Sequence, residues 1–207
     1  MAATSTGLEE RTRLRLAQRE SGGAEGNELL TNMTAAVLTA LVAALAVTIV
    51  HMGGLVTAHM LIGLALIPPV VVKLASTGYR FIRYYTRSPA YTAKGPPLLP
   101  LRLLAPVLVA ATLVVFTSGV LLLAAGHKAG TLLEIHKLSF IVWGVVFAVH
   151  FLAYIPRVGR SLIAAWPTAR RDAVPSGRLR AALVGSSVGA GIALAVALLP
   201  AIHGWQA

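Results

Sequence analysis

Five stretches of this chain are apolar for about the length that crosses a bilayer: residues 30–50, 52–74, 103–125, 137–155 and 181–202. A hydrocarbon core about 30 Å thick is spanned by roughly 20 apolar residues in a helix, because in lipid every backbone N–H and C=O must be satisfied internally. No other feature narrows the fold as much. Composition agrees, with 57% of residues hydrophobic and only 12% charged, where a water-soluble domain carries roughly 25% charged residues. The expected architecture is an all-α, polytopic membrane helical bundle with five transmembrane helices, multi-pass in the cell membrane, with the lipid bilayer as its first partner.

The charges give an orientation. Lys and Arg number 18 against 7 Asp and Glu, a net charge of +11. The connection after the second stretch holds Lys73, Arg80, Arg83, Arg87, Lys94 and Arg102 with no acid, and the one after the fourth holds Arg157, Arg160, Arg170, Arg171, Arg178 and Arg180 with Asp172 alone. The opposite connections are nearly neutral. Cytoplasmic loops accumulate Lys and Arg, so the amino terminus is expected inside and the carboxyl terminus outside. Residues 1–29 are polar and are expected to form a disordered cytoplasmic tail, leaving 30–207 as a single membrane domain. In the long basic loop, Tyr79, Phe81, Tyr84, Tyr85 and Tyr91 interleave with arginines. Between two spans that pattern suits an aromatic belt at the inner headgroup level, and no nucleic-acid partner is expected.

The absence of cysteine removes thiolate metal sites, disulfides, iron–sulfur clusters and c-type haem attachment. No glycine-rich nucleotide fingerprint follows a strand-like run, and the spans contain no Ser–His–Asp set, paired carboxylates or H-E-x-x-H motif. An electron-transfer subunit is therefore favoured over a self-contained enzyme. Histidine is the remaining ligand type, and all six, His51, His59, His127, His136, His150 and His203, lie in or beside the spans.

His136 and His150 are fourteen residues apart, which places them on one face of the fourth span and ~21 Å apart along it. The second and fourth spans run in the same direction, so His59 is level with His136 near the outer leaflet. That spacing suits a haem b held between His59 and His136, with Gly63, one turn after His59, leaving space for a porphyrin. Gly119 and Gly144 offer similar relief on neighbouring helices. At the inner level the residue opposite His150 is Lys73, so a second haem there lacks its histidine. Pro68 and Pro69 are expected to kink the second helix and weaken its phase. One haem is expected if any, with the second left open.

A short internal repeat pairs the same residues. "HMGGLVTAHML" (51–61) and "HKAGTLLEIHKL" (127–138) each close one span with a histidine and open the next with another. The segments "AHMLIGLALIPPVVVKLASTGYRFIRYYTRSPAYTAKGPP", "LRLLAPVLVAATLVVFTSGVLLL" and "HKLSFIVWGVVFAVH", over roughly residues 57–151, resemble a group of small actinobacterial integral membrane proteins similar to the membrane-embedded b-type cytochromes. The resemblance implies a helical bundle, haem b on paired histidines and electron exchange with quinol or a redox partner protein. It carries over to His59, His136 and His150 only.

Two other readings stand beside this one. A non-redox membrane scaffold or small transport-associated protein needs no cofactor, and small residues such as "SSVGAGIALA" in the last span suffice to dock helices. An outward-facing metal site would use His51, His127 and His203, which otherwise serve only as interfacial residues.

Overall fold

The computed structural model describes residues 23–206 except 94, 96–98, 127–129 and 166–176. Its helices are α1 (Gly23–Val50), α2 (Met52–Tyr85), the short α3 (Pro89–Thr92), α4 (Leu99–Ala125), α5 (Gly130–Ala165), α6 (Gly177–Ala197) and α7 (Leu199–Gln206). Five of them, α1, α2, α4, α5 and α6, are long and apolar enough to cross a membrane. No strand occurs among the described residues. The protein is an all-α, multi-pass bundle suited to a lipid bilayer.

Two helix boundaries differ from those the apolar stretches suggest, and polar contacts explain both. α1 starts at Gly23, inside the segment expected to be a disordered tail, with Glu25 in its first turn where the helix dipole favours an acid. There Asn27 is buried and its Nδ2 donates to the Ser76 carbonyl at 3.0 Å. α2 continues from residue 74 to Tyr85. Its 34 residues make a rod of about 51 Å at about 1.5 Å per residue, longer than the hydrocarbon core, so one end projects. Gly126 closes α4 with φ of 80°, a conformation only glycine adopts at no steric cost.

The break in helical angles within α2 does not fall at Pro68 and Pro69, where a kink is expected. Helical backbone angles persist through both prolines, and the only departure in α2 is at Leu55. Pro69 is fully buried. A proline leaves the carbonyl four residues earlier without its donor, and for Pro69 that carbonyl belongs to Ala65. It faces Gly191 of α6 so closely that a Cβ there would overlap it. The bond lost inside α2 thus becomes a close approach between α2 and α6.

α1, α2, α4 and α5 form a ring of four, in which α1 packs on α2, α4 on α5, α2 approaches α4 and α1 approaches α5. α6 lies outside the ring against α2 and α1. Across the ring, no Cα of α2 lies within 8 Å of α5, and none of α1 within 8 Å of α4, among the described residues. Directly packed helices lie about 8–10 Å apart axis to axis, so the diagonals leave the centre of the ring to side chains. At one end α7 folds back over α2 and α4. Its Ile202 is fully buried against Leu64 and Ala195, and Trp205 Nε1 donates to the Leu122 carbonyl at 3.1 Å in the last turn of α4.

Candidate functional site

The α2/α5 diagonal carries the histidines singled out by spacing. His59 and His136 meet in the middle of the ring with ring centres 6.4 Å apart and planes at 84°. Each ring is half-buried and held by the helix before its own. Thr48, near the end of α1, passes its hydroxyl proton to the Leu45 carbonyl at 2.6 Å. Its oxygen is therefore free to accept from His59 Nδ1, 3.1 Å away. On the other side Ser118 of α4 donates to the Val115 carbonyl at 3.0 Å. His136 Nδ1 lies 3.2 Å from the Ser118 oxygen and 3.1 Å from the Val115 carbonyl, and donates to that pair.

The carbonyl acceptor puts the His136 proton on Nδ1 and leaves the lone pair on Nε2, and the Thr48 hydroxyl can accept from His59 Nδ1 in the same tautomer. That is the state in which imidazole binds a metal, and an outer partner on the other nitrogen is its usual companion. The two ring planes stand nearly perpendicular, in an edge-on arrangement.

The two glycines near the pair do different work. A Cβ on Gly63 would meet nothing within 4 Å, so there is open space one turn from His59. Gly119 serves the histidine: a Cβ there would lie 3.0 Å from His136 Cε1, so its role is to admit the His136 ring. A Cβ on Gly144 would also meet nothing within 4 Å.

The other end of the diagonal is built differently. Lys73 turns toward α1, donating from Nζ to the Thr31 carbonyl at 3.0 Å. It belongs to a polar seam in which Thr31 Oγ donates to Ser76 Oγ at 3.1 Å and Ser76 Oγ to the Lys73 carbonyl at 3.0 Å. His150 remains within electrostatic reach of Lys73, which agrees with α2 and α5 running in the same direction. Between the two levels, Phe140, Trp143, Phe147 and Phe151 stack along α5 with successive ring centres 6.1, 4.6 and 5.5 Å apart. Trp143 Nε1 donates to Thr112 Oγ of α4 at 3.0 Å, which ties this stripe to helix packing.

His51 and His203 belong to no group of three metal-binding side chains among the described residues. His51 is exposed and its Nδ1 lies 3.1 Å from the Val47 carbonyl, which also accepts from the His51 backbone N–H at 3.3 Å. His203 is exposed on α7, and His127 lies outside the described residues. Among the described residues no three His, Cys, Asp or Glu side chains are grouped to hold a metal ion.

Thr48, Ser118 and the Val115 carbonyl are the site residues that sequence reasoning missed. They lie outside the short repeat, Thr48 by 11 residues and Ser118 by 18 residues before the histidine each meets, so the repeat does not mark them. No family model, curated protein or solved structure matches this chain.

Proposed function

We propose that the protein is a membrane b-type cytochrome-like electron carrier holding one haem b between His59 and His136. The observation that carries this reading is the pair itself, 6.4 Å between ring centres, with each Nδ1 engaged. The open space at Gly63 and the separation of α2 from α5 support it, since a porphyrin needs a gap that two packed helices would close. Haem b, when bound, supplies a one-electron carrier. Thr48, Ser118 and the Val115 carbonyl orient the two imidazoles and make them more basic ligands, a lever on potential. Quinol or a redox partner protein is the proposed source or sink of electrons, and the acid-free α2–α4 connection supports placing the amino terminus and that loop on the cytoplasmic side. The resemblance to actinobacterial membrane proteins of b-cytochrome type is part of this proposal.

The deciding experiment is a reduced-minus-oxidised optical spectrum with haem quantitation on protein purified from haem-supplied cells. A b-type band at one haem per chain is expected. A colourless preparation of folded protein would overturn the reading. It would favour instead a cofactor-free membrane scaffold or transport-associated protein, for which the Gly191–Ala65 approach between α2 and α6 is the supporting observation.

A further inference from the structure

The ring is made of two halves. α1 and α2 pack on each other and carry α6 on their outside, and α4 packs on α5. Between the halves the helices only approach, α1 toward α5 and α2 toward α4, and no Cα of α6 lies within 8 Å of α4 or α5 among the described residues. The chain crosses from one half to the other twice, from α2 to α4 and from α5 to α6. Because α2 and α5 run in the same direction, both crossings lie at one end of the bundle. At that end Arg102 of α4 also donates to the Tyr85 hydroxyl of α2. The opposite end, where α1 turns into α2 and α4 into α5, has no covalent link between the halves. His59 and His136, one from each half, lie near the starts of α2 and α5 and so toward that unlinked end.

α7 bridges the unlinked end. Its Ile202 is fully buried in a cluster with Leu64 of α2 and Ala195 of α6, against which Leu123 of α4 packs from the other half. Trp205 Nε1 donates across the same seam to the Leu122 carbonyl at 3.1 Å. The attachment is light. The Leu122 carbonyl also accepts from the Gly126 N–H at 3.1 Å, so it keeps a partner when the indole leaves. In lipid the acyl chains are as apolar as an isoleucine, so Ile202 is held by packing rather than by exclusion from water. Pro200 has no N–H to offer the Val196 carbonyl, so the joint between α6 and α7 bends there without breaking a helical hydrogen bond.

We infer that α7 is a releasable clasp across the α2/α4 seam. Closed, it holds the two halves together around the histidine pair. Released, it lets them part about the linked end and opens a path from the seam to His59 and His136. A bulky planar group needs such a path, because helices packed about 8–10 Å apart, as within each half, leave no passage between them. That the entering group is haem b rests on the reading proposed above; the parting of the halves does not.

The chain has no cysteine, so a pair of spin labels reads the separation of the halves directly. Ile192 of α6 and Val145 of α5 are exposed, one on each half. Full-length I192C/V145C protein, labelled and free of cofactor in nanodiscs, should give one narrow distance by double electron–electron resonance. Adding Ile202→Ala and Trp205→Phe should populate a second, longer distance, whereas Ile202→Val alone should keep the narrow one. An unchanged distance in the folded Ile202→Ala/Trp205→Phe protein would overturn the clasp. Should that variant fail to fold, Trp205→Phe alone decides: a broadened distance supports the clasp and an unchanged one overturns it. Haem added to the same preparations should bind about tenfold faster in the opened variant, since uptake scales with the open fraction. Equal uptake rates despite an opened distance would overturn the entry path. Failure of every variant to take up haem would count against the haem reading alone, with the distances still deciding the clasp.

Discussion

His59 and Lys73 stand fourteen residues apart on α2, as His136 and His150 do on α5, and the two helices face each other across the same ring. At the first level the two rings meet edge-on, 6.4 Å between centres. At the second, Lys73 turns sideways to the Thr31 carbonyl of α1. Helix phase is common to both levels, so it does not decide at which level the two side chains meet. The supporting residues decide. His59 and His136 each find a hydroxyl on the preceding helix that fixes the ring, whereas the polar groups beside Lys73, Asn27, Thr31 and Ser76, draw it away from the diagonal.

The sharpest way to break this comparison is to remove the ligands one level at a time. His59→Ala or His136→Ala should abolish bound haem completely, since neither has a replacement donor nearby. His150→Ala should leave one haem per chain. Quantitation by pyridine haemochrome separates these cases, and loss of haem in His150→Ala would mean that the inner level is also a ligand site.

Next in size are the hydroxyl partners. Thr48→Val and Ser118→Ala keep both imidazoles but release their Nδ1 protons, and loss of such partners typically weakens metal binding about 10–100-fold. Ser118→Ala should have the milder effect, because the Val115 carbonyl still accepts from His136. Haem dissociation rates and the midpoint potential would register both changes; identical behaviour of the two variants would contradict the unequal partnering. Gly191→Ala acts on neither level. It sets a methyl against the Ala65 carbonyl and should cost about 1–3 kcal/mol, as overpacking does, read as a lower Tm in detergent with haem stoichiometry kept.

The number of spans and the facing histidines were legible in the sequence, because apolar run length and helix phase are local quantities. Contacts across the bundle were less so. The start of α1 depends on Asn27 meeting Ser76, 49 positions away. Thr48 and Ser118 look like any hydroxyl in a membrane helix, where Thr34, Thr39 and Thr112 bond only back to their own helix among the carbonyls. At Pro68 and Pro69 the sequence does not show that Gly191 of another helix comes to rest against the freed Ala65 carbonyl. Gly119 was placed as porphyrin space, but the ring it admits is that of His136.

The smallest effect expected is that of Lys73→Met, and it bears most directly on why the two levels differ. Lys73 Nζ donates to a carbonyl inside α1 that also has its own helical donor available, so removing the ammonium strands no buried acceptor. Asn27 still reaches the Ser76 carbonyl and Thr31 still reaches Ser76 Oγ, so the α1/α2 seam survives. The lost hydrogen bond from a charged donor is worth about 1.5–3 kcal/mol, and a methionine of similar length offsets part of it because it has no charge to desolvate. Thermal unfolding should therefore shift little, and haem content should not change at all. If Lys73→Met removed haem or altered its spectrum, Lys73 would have to reach the diagonal when the cofactor is present, and the contrast between the two levels would reflect the loading of the bundle rather than its fold.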